Sequence, residues 1–224
     1  MPLEAFADNL WVASQPHSMM GLALGARMTV HRTDTGKLWL HSPIRRTAEL
    51  AEAIEALGPV GWIVAPNTFH HMYVGDWVEA HPEAELWGPQ GLVSKRPDLS
   101  FQGLFGRDPL PWTLDSQFIG GTLLEETMFL CSRTRTVISA DLFLNIHETS
   151  SLLTRGLLTL SGAWQQPGVT HLGRMAVRDR ARARADFEKV LAWDFDKVIV
   201  SHGRCVHADG KAATRAGLRW LLGD

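Results

Sequence analysis

Three apolar segments that have the composition of β-strands are each followed by a side chain able to bind a metal ion. His70 and His71 follow the first segment, Asp141 directly follows the second, and His202 follows the third. Imidazole nitrogens and carboxylate oxygens are the ligands that Zn²⁺ and related divalent metals take from proteins. Because α/β proteins place ligands at the carboxyl ends of strands, the pattern predicts a metal site built from these strand ends.

Each signal is weak when it is taken alone. A single histidine is more often a structural residue than a ligand, and an aspartate after a strand is more often the cap of a turn or helix. Neighbouring histidines also point to opposite faces of a strand, so His70 and His71 can converge only from a loop or a first helical turn. The metal hypothesis therefore requires non-strand backbone at both residues.

Other polar residues near the predicted strand ends have two interpretations each. His41 either hydrogen-bonds a ligand or substrate, or closes its strand and caps the next helix. Asn67 is either a turn former or a polar group facing the site. Glu125 and Glu126 are interpreted as a solvated loop, with a role as an additional ligand or as an acceptor for an imidazole N–H as the alternative. Arg204 is interpreted as a surface ion-pair residue rather than an anion-binding one.

The elements that must position these residues form two α/β parts. The first part predicts strands at 10–13, 28–32, 37–41, 62–65 and 84–87, with helices from Thr47 and over 72–80. The second predicts strands at 118–121, 127–131, 136–140 and 197–201, with helices over 179–193 and 209–222. Between them, 89–112 is predicted as loop with short helical pieces. The apolar stretch 152–164 is interpreted as core or dimer packing, with a lid or a membrane-surface helix as alternatives.

Composition excludes several classes of protein. The chain has 224 residues, of which 45% are hydrophobic and 21% charged, and 22 Lys+Arg against 24 Asp+Glu give a net charge of −2. This is the composition of a globular protein, expected here as a single domain over 1–224. A near-neutral chain argues against nucleic-acid binding, and no apolar run approaches the roughly 20 residues of a membrane span. Without a signal-peptide pattern at its start, the protein is expected in the cytoplasm.

The order of these motifs resembles the metallo-β-lactamase superfamily over most of the chain. In that family a first strand is followed by His-x-His-x-Asp-His. An intermediate histidine then lies in a loop, an Asp follows a later strand, and a His follows a final strand. More narrowly, the chain is similar to a divergent branch classed as a domain of unknown function, with Pro-Asn-x-x-His-His (66–71), Leu-x-Leu-His-Ser-Pro (38–43) and Trp-Asp-Phe-Asp…His-Gly (193–203). The resemblance implies an αββα sandwich of two mixed β-sheets with helices on the outer faces.

The departures from the family signature decide which ligands the resemblance implies. With His71 at the closing histidine of the first motif, Thr68 and Pro66 occupy the positions of its first two histidines, and the intermediate histidine is missing. One of the family's two metal positions therefore lacks its ligands. The other keeps His70, His71, Asp141 and His202, with His70 in place of an aspartate.

The resemblance implies a hydrolase that uses one divalent transition metal, Zn²⁺ first and Fe²⁺ or Mn²⁺ as alternatives. The ion would activate a water against an ester, thioester, amide or lactone, and Asp141 would both bind it and orient that water as a catalytic residue. A non-catalytic descendant that binds a small molecule or a protein partner is the alternative, and oxidation–reduction at a single iron is a third. A small-molecule substrate is expected, and a homo-oligomer is left open.

Overall fold

The structure is a computed structural model of the chain, and it describes residues 2–19 and 21–223. The strands in chain order are β1 (Leu3–Ala7), β2 (Leu10–Gln15), β3 (Ser18–Met19), β4 (Leu22–Ala23), β5 (Ala26–Arg32), β6 (Leu38–His41), β7 (Val60–Val64), β8 (Glu85–Gly88), β9 (Gly103–Leu104), β10 (Asp115–Phe118), β11 (Thr127–Cys131), β12 (Thr136–Ser139) and β13 (Lys197–Val200). The α-helices are α1 (Ala48–Glu55), α2 (Val74–Ala80), α3 (Gln90–Lys95), α4 (Leu152–Leu160), α5 (His171–Met175), α6 (Arg180–Ala192), α7 (Gly210–Gly217) and α8 (Arg219–Leu222).

The chain divides into two compact units. The first contains residues 2–15 and Arg27–Thr113, and the second contains Pro16–Ala26 and residues 114–223. The single domain predicted for 1–224 stays a prediction, and residues 1, 20 and 224 lie outside the described part of the chain.

A seven-stranded mixed sheet forms the centre of the first unit, in the order β1-β2-β5-β6-β7-β8-β9. Strands β5 and β6 pair antiparallel, and β6, β7, β8 and β9 are parallel neighbours. All five residues of β7 are buried, as expected of a parallel strand covered on both faces. The carboxyl ends of β6 and β7 therefore share one edge, and this edge carries Ser42 and the 65–71 segment.

Local sequence signals account for the connections of this sheet. Gly36 has a φ of 78° in the turn between β5 and β6, a conformation that glycine adopts without a steric penalty. The hydroxyl of Thr47 accepts a hydrogen bond from the N–H of Leu50 and caps α1. Leu50, Ala51 and Ile54 form the buried face of that helix. The helix that begins after Thr47 was predicted from the sequence and is confirmed.

A four-stranded mixed sheet, β10-β11-β12-β13, organises the second unit. The first two pairings are antiparallel, and β12 pairs parallel to β13 with Ser139 opposite Val200. The strand ends that carry Asp141 and His202 therefore lie side by side at one edge. A continuous core joins this sheet to α6 and α8, through residues such as Phe187, Val190 and Leu221.

Two predictions about the second unit were wrong in detail. The strand expected at 118–121 lies at Asp115–Phe118, and the helix expected over 209–222 is two helices separated at Leu218.

The apolar stretch after residue 151 forms α4, and four of its leucines are exposed: Leu152, Leu153, Leu157 and Leu160. Only Leu158 among the α4 leucines is buried, because it faces Ile146 and Ala163. One side of α4 therefore packs in the core, and the side that carries the four exposed leucines does not. Within the described residues, no helix has the length and apolar character needed to span a bilayer.

Candidate metal centre

The turn after β7 holds the predicted pair of histidines in the first unit. Asn67 is fully buried, and its side-chain oxygen accepts hydrogen bonds from the N–H groups of Phe69 at 2.9 Å and His70 at 3.0 Å. This Asx-type turn ends the strand direction, and His70 and His71 lie in turn rather than strand conformation. The required non-strand backbone is confirmed, and Asn67 is a turn former.

Ser42 fixes the ring of His70. The Ser42 hydroxyl lies 2.5 Å from His70 Nδ1, and its own N–H donates to the carbonyl of Val64 at 3.0 Å. Ser42 is 2% exposed and has a φ of 55°, in the left-handed region that is strained for a residue with a side chain. With Nδ1 engaged by the hydroxyl, Nε2 is the nitrogen through which His70 would bind a metal ion.

His41 ends β6 directly before Ser42 and is completely buried. Its ring stacks on Trp39 with centroids 5.2 Å apart. Burial, reinforced by the nearby His70, lowers the pKa of His41 to about 3. The ring is therefore neutral at physiological pH and adds no positive charge beside His70. The strand-closing interpretation of His41 is confirmed, whereas the cap of α1 is Thr47.

His71 has a different environment from its neighbour. Arg96 Nη1 lies 3.3 Å from His71 Nδ1 and donates to the His71 carbonyl at 2.7 Å. Burial, followed by the positive charges of Lys95 and Arg96, lowers the pKa of His71. Because a guanidinium can only donate, Nδ1 is the acceptor, and the neutral ring carries its proton on Nε2. This arrangement does not favour His71 as a metal ligand, and that assignment stays a prediction.

In the second unit, Asp141 and His202 form a close pair. His202 Nε2 lies 3.0 Å from Asp141 Oδ1, and the side chains are 4% and 14% exposed. His202 Nδ1 lies 2.6 Å from the carbonyl oxygen of Gly25, so it must donate there. A neutral His202 ring therefore turns the lone pair of Nε2 toward a carboxylate oxygen. Two acceptors at this separation repel unless a proton or a metal cation accompanies them, so the donor set fits a divalent cation.

Glu126 holds the backbone that carries Asp141. Its carboxylate is fully buried and accepts hydrogen bonds from the N–H groups of Ala140, Asp141 and Leu142 at 2.7–3.0 Å. The hydroxyl of Ser139 donates to the same carboxylate at 2.8 Å. The interpretation of Glu126 as part of a solvated loop was therefore wrong. Four donors around one carboxylate compensate its burial and fix the turn after β12.

Gly203 allows the chain to pass close to Asn145 after His202. Its φ is 92°, and a Cβ at this position would lie 2.1 Å from the Asn145 carbonyl oxygen. The N–H of Asn145 donates to the His202 carbonyl at 3.1 Å, and the N–H of Arg204 donates to the Asn145 carbonyl at 2.7 Å. The His-Gly dipeptide is therefore a packing requirement at this strand end. The Arg204 guanidinium pairs with Glu148, which confirms the surface ion-pair interpretation.

Sequence reasoning missed three groups that support these side chains: the Ser42 hydroxyl, the Glu126 carboxylate and the Gly25 carbonyl. The position of Glu126 was a usable signal in the sequence. An acidic residue directly before a mainly apolar strand is either exposed at the end of that strand or buried with hydrogen-bond partners. Ser42 stands next to a strand end in His-Ser-Pro, which marks a turn but does not reveal its contact. A carbonyl 177 residues from His202 leaves no trace in the sequence.

Comparison with solved structures places the fold. The chain is similar to a metallo-β-lactamase from Pontibacter korlensis, at 13% identity with a TM-score of 0.68, covering 100% of this chain and 99% of that one. The mono-zinc form of the metallo-β-lactamase FIM-1 from Pseudomonas aeruginosa is 13% identical with a TM-score of 0.62, covering 99% and 93%. A metal-soaked flavodiiron core from Synechocystis is 13% identical with a TM-score of 0.68, covering 98% of this chain and 60% of that one.

These similarities define the class: the chain has the mixed α/β fold of the metallo-β-lactamases, which confirms the predicted fold class. Residues 7–160 match the family model described as a domain of unknown function, DUF4336, and the chain belongs to this family. The expected family, a domain of unknown function, is therefore confirmed, and the similarity to the metallo-β-lactamases is one of fold. No curated protein matches the chain.

Proposed function

We propose that the protein is a hydrolase that depends on one divalent transition-metal ion, held by His70, Asp141 and His202. The observation that carries the proposal is the orientation of His202. Its Nδ1 donates to the Gly25 carbonyl, and its Nε2 faces a carboxylate oxygen at 3.0 Å. A carbonyl that fixes the ring tautomer is the usual partner of a metal-binding histidine, and it leaves Nε2 as the ligand atom.

His70 suits the same ion through its own supporting contact. The Ser42 hydroxyl engages Nδ1, so His70 would also bind through Nε2. Two imidazoles and one carboxylate form a common ligand set of catalytic zinc sites, in which a further position remains for water or substrate. The same set also suits Fe²⁺ or Mn²⁺, so metal analysis decides the identity of the ion.

When bound, the ion would lower the pKa of a water molecule and polarise the substrate carbonyl. The positioning of the ligand carboxylate and of the attacking water would depend on the protein's own side chains. Glu126 fixes the Asp141 backbone, so the Asp141 carboxylate keeps one oxygen toward His202 and can accept a hydrogen bond from the attacking water. Asp141 is therefore the proposed catalytic residue. An ester, thioester, amide or lactone of a small molecule is the proposed substrate class.

Metal content of the purified protein tests the ligand set. We expect about one equivalent of a transition metal in the wild type, and a large loss in His70→Ala, Asp141→Asn and His202→Ala. His171→Ala is the matched control, because His171 is an exposed histidine on α5. The variant His71→Ala separates the two adjacent histidines, and we expect it to retain the metal. Equal metal content in wild type and the three ligand variants would refute the site.

Hydrolysis tests the reaction separately. A panel of activated esters, thioesters and lactones is assayed with the metal-loaded wild type and with Asp141→Asn, whose metal content is measured in the same samples. We expect turnover by the wild type that falls by at least 100-fold in the variant. Metal binding without turnover of any substrate would instead favour a non-catalytic protein that uses the fold to bind a partner.

A further inference from the structure

The second unit has a cavity of about 510 Å³ that is open to solvent, and its lining includes neither Asp141 nor His202. Its lining includes His147, Glu148, Ser150, Arg155, Trp164 and Gln165. These residues come from the segment before α4, from α4 itself and from the segment after it. The volume of the cavity is within the range of small-molecule binding sites.

Three residues of the lining are exposed and carry side-chain polar groups that no described residue hydrogen-bonds: the Ser150 hydroxyl, the Arg155 guanidinium and the Gln165 amide. Arg155 lies over the ring of Trp164, with its Cζ 5.5 Å from the centroid, in a cation–π contact. Its five N–H donors form a rigid fork that matches an oxyanion. Of the three groups, only the guanidinium can donate but not accept, and Ser150 and Gln165 can donate beside it.

The charged side chains in the lining of the cavity are those of Arg155 and Glu148. Glu148 is the acidic residue among those lining it, and its carboxylate forms an ion pair with Arg204. Within the described part of the chain, Arg155 has no carboxylate partner. Arg155 therefore gives the cavity one positive charge that no carboxylate of the described residues compensates.

Gln165 is held in the cavity wall by strained backbone. Its φ is 56°, in the left-handed region that glutamine rarely occupies, and its N–H donates to the Ile146 carbonyl at 2.9 Å. Strain of this kind persists where the surrounding structure imposes it, and it is frequent at ligand sites. The constraint fixes the backbone of Gln165, an exposed residue, beside the cavity.

Asn145 connects the cavity wall to the strand end that carries His202. Its side-chain oxygen lies 2.7 Å from His147 Nε2, and its N–H donates to the His202 carbonyl. His147 lines the cavity. One residue therefore positions both a cavity residue and the backbone of a proposed metal ligand.

We propose that this cavity binds the oxyanion group, carboxylate or phosphate, of a small molecule, with Arg155 as the principal contact. Ser150 and Gln165 supply the additional donors. If the protein is the hydrolase proposed above, a consequence for its substrates follows. It would prefer substrates that carry an anionic group in addition to the bond that is cleaved.

Calorimetric titration tests the cavity independently of the reaction. Benzoate and inorganic phosphate are titrated into the purified protein at constant ionic strength, with and without EDTA, and neutral benzamide is the control ligand. We expect at least one of the anions to bind, benzamide not to bind, and Arg155→Gln to weaken binding by at least 10-fold. Arg219→Gln makes the same charge change at an exposed site on α8 and should leave binding unchanged. Absence of anion binding, or equal binding by Arg155→Gln, would overturn the proposal.

Paired esters test the extension to the reaction. We expect a lower KM for 4-nitrophenyl hemisuccinate than for 4-nitrophenyl acetate, and Arg155→Gln should raise the KM of the hemisuccinate alone, by about 10-fold. Equal KM values for the two esters would overturn the substrate preference. If neither ester is cleaved, the hydrolase proposal fails for this class, while the titration still decides whether the cavity binds anions.

Discussion

The carboxylate of Glu126 accepts a hydrogen bond from the backbone N–H of Asp141 at 2.7 Å, with the N–H groups on either side bound to the same carboxylate. The side chain that the proposed site needs is thus positioned by another acidic residue, 15 positions earlier in the chain. Ser42 has the corresponding role for His70 in the first unit. In both units, a buried polar group fixes a residue that follows a parallel strand.

Glu126→Gln is expected to disturb the Asp141 turn. An amide has one oxygen, and its NH₂ group would face backbone N–H groups that also donate, so at least one buried donor loses its partner. We expect the free energy of unfolding to fall by about 2–4 kcal/mol and metal affinity to fall by about 10–100-fold. Urea denaturation and metal titration measure the two effects.

Glu188→Gln is the control for this prediction. It makes the same chemical change in an exposed carboxylate on α6, whose partner is Arg184 four residues earlier. Because exposed pairs contribute little, we expect a change below about 0.5 kcal/mol and no change in metal affinity. If Glu126→Gln behaved like this control, the Glu126 carboxylate would not be what orders the turn.

Substitutions of Ser42 separate strain from ring positioning. Ser42→Ala and Ser42→Gly both remove the hydroxyl that engages His70 Nδ1, and both should lower metal affinity by about 10–100-fold. Only glycine relieves the positive φ, so Ser42→Gly should unfold with a free energy about 1 kcal/mol higher than Ser42→Ala. Metal titration together with urea denaturation checks both parts. Unchanged affinity in both variants would show that His70 does not need this partner.

Much of the fold could be predicted from the sequence because the deciding signals are local. The helix start at Thr47 and the apolar run of β11 each depend on a few adjacent residues, and both are confirmed. The exposed face of α4 could not be predicted in this way. Apolar periodicity shows that a helix has a hydrophobic side, but not whether anything covers that side.

The candidate site was predictable for its ligand types but not for their supporting contacts. Strand-end position identified Asp141 and His202, which the structure brings to 3.0 Å. The contacts of Glu126, Ser42 and Gly25 depend on tertiary approach between distant segments, and sequence separation hides them. The expected fourth ligand His71, the homo-oligomer and the cytoplasmic location stay predictions.

Burial of His41 predicts a pH dependence of stability. Its pKa of about 3 in the folded chain lies below the ordinary value of 6.5. Between these values the unfolded chain binds a proton that the folded chain does not, so the free energy of unfolding falls as pH falls, by about 1.4 kcal/mol per unit. Above pH 6.5 both states are neutral at this ring, and its contribution is constant.

Urea denaturation of metal-free protein at pH 8 and pH 5 measures this effect. We expect wild type to lose about 2 kcal/mol more than His41→Gln between the two pH values, because the variant has no ring to titrate. The comparison removes the contributions of the carboxylates and of the other histidines, which both proteins share. Equal losses in the two proteins would show that His41 titrates normally in the folded chain.

Gln165→Gly tests whether backbone strain is retained for the anion cavity. Glycine adopts the φ of 56° without a steric penalty, so the strain relief should raise the free energy of unfolding by up to about 1 kcal/mol. The same change removes an amide donor from the cavity wall, so benzoate or phosphate should bind several-fold more weakly. Gln165→Asn keeps an amide on a residue that tolerates this conformation, and it should recover part of the binding. A stabilised Gln165→Gly that binds anions as wild type does would separate the strain from ligand binding, and the strain would then belong to the packing of Trp164 against Ile146.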